Sequence, residues 1–288
     1  MRKAKQDYGR TLWQEAWENF LGNRVGMMGL IGIAVLIVVA IFGEYIAPYG
    51  YDDQNLAVRF TAPCAQYWFG TDQYGRDIFS RVVLGAKYSL IIGMAAATVS
   101  CLLGSVLGAI AGFFSDVTDN IIMRMMDLLL AIPSTLLAIS IIACLGNGVQ
   151  NMVLAVSVAS VPTYARQVRA SVLSLKEQEF IEASTCIGAS RMRTMFRHVL
   201  PNCLAPIIVT MSLSVSGAIL AASSLSFIGL GIQPPTPEWG AMLAAGRPFI
   251  RDAWWCVMFP GAAIMYVIFA LNLLGDGLRD VLDPRLKQ

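Results

Sequence analysis

Six apolar runs, each close to the length of a bilayer crossing, constrain this chain more than any other feature. They cover Met27–Ala47, Ser89–Gly112, Ile121–Leu145, a run from Asn151 past Tyr164 toward Ser171, Leu204–Ile232, and Val257–Leu274. A helix needs about 20 mostly apolar residues to cross the hydrocarbon core. The pattern therefore predicts an all-α polytopic membrane protein with six transmembrane helices. Composition agrees, because 56% of residues are apolar and 14% charged, where a soluble domain carries about 25% charged residues. A net charge of +2 is too near neutral for a nucleic-acid partner.

Residues 1–26 carry Arg2, Lys3, Lys5, Arg10 and Arg24. Trp13, Trp17 and Leu21 recur every four residues, with Leu12, Ala16 and Phe20 beside them. This spacing predicts a short interfacial helix on the cytoplasmic leaflet. A cleaved signal peptide does not fit, because the apolar stretch starts late, runs too long and lacks a small-residue cleavage site. Cys64, Cys101, Cys144, Cys186, Cys203 and Cys256 contain no CxxC pair and read as small apolar fillers. His198 is the only histidine. No metal site is expected, and a membrane enzyme would lack a nucleophile–base set. His198 reads as a helix-end residue.

Between the first two spans lies a polar excursion over residues 48–87 with Asp52, Asp53, Pro63 and the run Gly70-Thr71-Asp72-Gln73-Tyr74-Gly75-Arg76-Asp77. Thr71 or Asp72 can cap a turn, and Asp77 and Arg81 can pair one helical turn apart. Gly104, Gly108 and Gly112 recur every four residues in the second span and predict close helix approach. Arg124 and Asp127 fall on one face near the start of the third span, which Pro133 interrupts. Two readings stay open: an intrahelical ion pair at the membrane edge, or a polar gate beside a kink. Pro162 predicts a bend in the fourth span. The fifth is rich in Ser and Gly, and Gln233–Gly240 breaks it with three prolines. Trp239, Trp254 and Trp255 suit the membrane interface.

The most polar piece of the second half is Glu182–Asn202. Phe180, Ala183 and Ile187 fall at helical spacing. Gly188 can stop that helix in the left-handed conformation, and Ser190 can cap a second helix. In the second, Met192, Met195, Phe196 and Val199 share one face, with Arg193 and Arg197 on another. Pro201 is expected to close the segment. The result is a rigid helix–turn–helix knob, too polar to span, although an ordinary connector between spans is the plainer reading. Six spans put both ends and the knob on one side. That side carries 15 of the 21 Lys and Arg, against 6 opposite, so it should face the cytoplasm.

The knob resembles the EAA loop of ABC importer permeases. Glu182, Ala183, Ser184, Gly188, Leu200 and Pro201 stand at the motif positions, with Ser184 replacing the usual second alanine. The GTDxxGRD run at Gly70–Asp77, the Leu225–Gly231 run with its proline-rich break, and the Asp276–Pro284 tail are similar to the C-type permease of dipeptide, oligopeptide, glutathione and nickel importers. Tyr74 departs from the leucine more usual there. The resemblance covers nearly the whole chain and implies a type I permease fold with cytoplasmic coupling helices. It divides the chain into the interfacial helix (1–26), first span (27–47), extracytoplasmic segment (48–87) and a core of five spans (88–288) with its coupling loop at 172–201.

The resemblance further implies a non-catalytic subunit of the prokaryotic inner membrane with both termini cytoplasmic. Its partners would be a homologous permease, two cytoplasmic ATPases and an external binding protein. Glu182, Ala183, Ser184, Gly188, Arg191, Leu200 and Pro201 become candidate ATPase-coupling residues. Asp127, Arg124 and Pro133 are candidate gate residues, and Asp72, Arg76 and Asp77 candidate docking residues for the binding protein, the alternative for these last being a structural elbow. No Walker GxxxxGK[ST] sequence occurs, so ATP and magnesium would sit on the partners and no cofactor on this chain. Peptides are the leading substrate class, with glutathione or a nickel complex as alternatives. A stand-alone secondary carrier is the rival class, but the sequence lacks a clear internal repeat.

Overall fold

The structure, a computed structural model, describes residues 12–282. The basic residues Arg2, Lys3, Lys5 and Arg10, and the tail residues Pro284, Arg285 and Lys287, lie outside it. Among the described residues the regular elements are helices, beginning with α1 (Leu12–Gly22) and α2 (Arg24–Ile46). Asn23 separates these two and caps α2 by accepting from the Gly26 N–H at 3.0 Å. In α1, Phe20 is buried while Trp17 and Leu21 are exposed.

The segment from Ala47 to Asp77 is an elbow without long helices. Backbone bonds close it on itself, Phe60 N–H to Asp72 O at 3.2 Å and Thr71 N–H to Thr61 O at 2.9 Å. The next helix, α3 (Ile78–Phe113), starts 11 residues before the expected second span. Asp77 starts it by accepting from the Ser80 N–H at 2.8 Å. Asp77 therefore does not pair with Arg81, as the spacing had suggested. Arg81 instead reaches the carbonyls of Tyr51 at 2.5 Å and Pro235 at 3.2 Å, tying the elbow to the proline-rich loop.

The third apolar run is two helices, α4 (Asp116–Leu130) and α5 (Ser134–Leu145), bent by 86° at the Pro133 break. Pro133 removes a backbone donor and disfavours helix in the residue before it. The fourth run is one uninterrupted helix, α6 (Val149–Lys176), which accommodates Pro162. Then come α7 (Glu179–Cys186), α8 (Arg191–Thr194), α9 (Leu200–Phe227), α10 (Trp239–Gly246) and α11 (Trp255–Leu282). The fifth span thus ends at Phe227, before Ile232. The sixth extends from two residues before its expected start through the Gly275–Asp280 stretch.

Four helical stretches are long and apolar enough to cross a membrane: α2, α3, Arg191–Phe227 and α11. The bent α4–α5 pair makes up to five. The remaining expected crossing, the fourth, is α6, which has the length but too many polar side chains, from Gln150 through Gln167 to Lys176, to pass on composition.

Glycines set the helix spacing. A Cβ on Gly104 would stand 2.7 Å from Val161 O, and one on Gly112 3.0 Å from Arg169 O. The predicted stripe is therefore the contact of α3 with α6, the most extensive helix pair. Gly29 plays the same part between α2 and α11, with Ala270 O 2.8 Å from where its Cβ would be. The largest core cluster joins α3, α9, α10 and α11 around Trp239 and Trp255. Both tryptophans are buried and not interfacial as expected. Trp239 Nε1 donates to Val82 O at 2.9 Å and Trp255 Nε1 to Thr71 O at 3.0 Å. Only Trp254 of the three is well exposed.

Candidate functional site: a polar knob continuous with a membrane helix

The knob is built from α7, a tight turn, and α8. Gly188 has φ +82°, the left-handed conformation the sequence predicted, and a Cβ there would meet no neighbour within 4 Å. Backbone conformation alone, not crowding, selects glycine at this position. Ser190 caps α8 by accepting from the Arg193 N–H at 3.4 Å. The Ser184 and Thr194 hydroxyls meet at 3.1 Å across the two helices, both buried. That burial explains why the position of Ser184 must be small.

The inner face of the knob differs from the one predicted. Ile181 and Ser184 point inward from α7. Phe180, Ala183 and Ile187 are exposed, Ile187 at 85%. On the second helix Thr194, Met195 and Val199 are buried, whereas Met192 and Phe196 are exposed. A π-helical turn spans Met195–Val199, so the strict α-helical phase does not continue through this segment. Ile181, Met195, Val199 and Cys203 join Phe113, Val168 and Val172 in one cluster, which clamps the knob to the ends of α3 and α6.

Pro201 does not close the segment. It lies inside a continuous helical stretch, directly after the π-helical turn at Met195–Val199. The helix runs without interruption from Arg191 to Phe227. The outer surface offers Glu182, Ala183, Ile187, Gly188, Arg191, Arg193 and Arg197, while Leu200 is half-buried and Pro201 exposed. The knob thus pairs an apolar tip with two acidic side chains, Glu179 and Glu182, and three basic ones.

The candidate gate residues are only partly brought together. Arg124 is exposed and outside the ion pair expected of it. Asp127 instead binds Arg166 of α6 at 2.6 Å. One turn further along α6, Arg169 grips Asp119 of α4 through Nε and Nη2, each at 2.5 Å. The sequence reading missed both α6 partners, because charges 39 and 50 residues apart give no local spacing signal. Pro133 lies at the 86° break, away from these pairs in the chain.

The candidate docking residues are all buried. Asp72 and Arg76 form a salt bridge at 2.7 Å, and Asp72 also accepts from the Tyr74 N–H at 2.8 Å. They hold the elbow together and offer no outward face. Among the described residues no group of three or more His, Cys, Asp or Glu is placed to hold a metal ion.

These features define an integral membrane protein with several apolar helices, organised around a rigid polar knob fused to one of them. The pattern of the family described as "Binding-protein-dependent transport system inner membrane component" matches residues 104–288, and that of the "N-terminal TM domain of oligopeptide transport permease C" matches residues 11–63. The chain belongs to this family of binding-protein-dependent transport permeases. It is 46% identical to the "Dipeptide transport system permease protein DppC" of Alkalihalophilus pseudofirmus, over 96% of this chain and 90% of the relative. It is 45% identical to the "Di/tripeptide transport system permease protein DppC" of Pseudomonas aeruginosa, over 95% and 92%. It is also 45% identical to the "Glutathione transport system permease protein GsiD" of Escherichia coli, over 100% and 95%.

Proposed function

We propose that this chain is one of two homologous membrane-spanning subunits of an ATP-driven importer for di- or oligopeptides. An external binding protein delivers the substrate, and two cytoplasmic ATPases dock on the two knobs. The observation that carries the reading is the knob. It is exposed on its outer face, clamped on its inner face, and continuous with a 37-residue helix. A displacement imposed at Glu182 or Ile187 has no loose joint in which to dissipate before it reaches the membrane. Closure of the ATPases would draw the two knobs together and turn the pathway outward, and release after hydrolysis would turn it inward.

In this arrangement α6 is the fourth crossing and brings the total to six, both termini and the knob face the cytoplasm, and ATP hydrolysis takes place on the partners. The glutathione-transport relative supports a second substrate, itself a small peptide. The test is uptake and ATP hydrolysis by the complete complex in proteoliposomes, with Glu182→Lys or Gly188→Pro. Proline cannot adopt the φ of +82° at position 188. Both variants should remain in the membrane and lose the link between substrate, hydrolysis and uptake. Normal substrate-stimulated hydrolysis and uptake in both would refute the coupling role.

A further inference from the structure

The side of α6 that makes it too polar to count as a lipid-facing helix is only partly covered by this chain. Ser160, Thr163, Gln167 and Ser171 recur at intervals of three or four residues, so they form one stripe. The stripe faces α9, and two cavities lie along the seam between the helices. The first, of about 380 Å³, is lined by Ser160, Thr163, Tyr164, Ser214 and Ser224, with the start of α5. The second, of about 640 Å³, begins one turn further toward the knob, at Gln167, Ser171 and Thr210. Between them the Gln167 side chain crosses the seam and donates to Thr210 Oγ1, and to Pro206 O at 3.3 Å.

Tyr164 is the second observation. Its side chain lines the first cavity and is 1% exposed, yet its hydroxyl has no hydrogen-bond partner. Ser100 and Ser214 stand nearby without closing a bond of good geometry. A buried hydroxyl left unpaired is unfavourable, so a ligand that accepts from it would relieve that cost. Three of the other hydroxyls have their protons engaged. Ser160 donates to Val156 O at 2.9 Å, Ser224 to Leu220 O at 2.8 Å and Thr210 to Pro206 O at 2.9 Å. What they offer the groove is oxygen lone pairs. Arg279, in the second cavity, is the only charged residue lining either.

We infer that the α6–α9 groove is this subunit's half of the solute track, that it takes the main-chain amides of peptides, and that the Gln167 bridge is its neck. The hydroxyl lone pairs accept amide N–H groups and the Tyr164 hydroxyl donates to a carbonyl. Because no charge lines the first cavity, side-chain sequence is not read there. The assignment rests on the peptide-import reading above.

The complete complex is first freed of the six native cysteines in this chain, and its uptake of alanyl-alanine into proteoliposomes is measured. Failure of uptake by this complex, and by the unmodified one, overturns the import reading itself. With uptake established, Thr163→Cys and Ser224→Cys are treated with a charged, membrane-impermeant thiol reagent. Leu103→Cys, on an exposed apolar position of α3, is the control. Uptake should fall at least tenfold for the two groove positions only, and excess dipeptide should protect them. Unlabelled groove cysteines, or disulfide cross-linking of Thr163→Cys to the homologous permease, would overturn the track and assign the groove to subunit packing. Tyr164→Phe supplies an independent arm. It should lower uptake severalfold without lowering thermal stability, and unchanged uptake would remove Tyr164 from the track.

Discussion

Gly108 offers the sharpest test of the packing described above. A Cβ there would overlap the Ala165 carbonyl oxygen and stand 3.0 Å from both the Ala165 carbonyl carbon and the Val168 Cβ. None of these atoms is the free end of a flexible side chain, so Gly108→Ala must push α3 away from α6. Overpacking of this kind costs typically about 1–3 kcal/mol. Alanine recovers up to about 1 kcal/mol of helix propensity, which leaves a net loss of about 0–2 kcal/mol. Gly217 in α9 is the matched control, since a Cβ there meets nothing within 4 Å and only the propensity gain remains. The difference between the variants isolates the steric cost. At roughly 2–4 °C per kcal/mol, their thermal midpoints should separate by several degrees. Intrinsic fluorescence of the purified complex at one fixed heating rate measures this, the fixed rate being needed because such unfolding is commonly irreversible. A Gly108→Ala midpoint equal to or above that of Gly217→Ala would refute the close-contact argument.

The two ion pairs between α4 and α6 should be unequal. Asp119→Asn breaks the more enclosed pair, whose side chains are 20% and 33% exposed, and should destabilise by about 1–2 kcal/mol. Asp127→Asn breaks one exposed at 47% and 54% and should cost less than about 1 kcal/mol; the reverse order would contradict the burial ranking. Glu238, at the start of α10, is almost fully buried, and burial pushes its carboxyl above the usual carboxylate range against the pull of the Gly240 and Ala241 N–H groups. The folded protein therefore holds this proton more tightly than the unfolded chain. Its contribution to stability is greatest below the ordinary carboxylate pKa and is lost as pH rises toward the folded-state value. Midpoints measured upward from about pH 4 should show this decline in the unsubstituted protein and a flatter profile in Glu238→Gln.

Local patterns were legible in the sequence, and distant ones were not. The Gly188 turn and the Ser190 cap were readable because each is settled within four residues. The glycine stripe of α3 was also readable, since it repeats along one helix face. The partners of Asp127 and Asp119 were not, because they depend on how α4 lies across α6. The face of the knob was misread for a different reason. Strict α-helical phase groups Met192 and Phe196 with Met195 and Val199, but the helix turns only Met195 and Val199 inward, with Thr194 beside them. The tryptophans were misplaced because an indole that suits a membrane interface equally suits a buried corner that offers its N–H a carbonyl.

The π turn at Met195–Val199 has a consequence for how the length of this segment can vary. One helical residue corresponds to about 100° of rotation, and the extra residue in a π turn is a single residue's worth of offset. Between Thr194 and Leu200 the chain therefore works as a dial. The number of residues there decides which compass bearing the outward-facing arginines take relative to the groove side of α9. The gain or loss of one residue in this window would turn the knob by about a quarter of a circle relative to the helix that carries it.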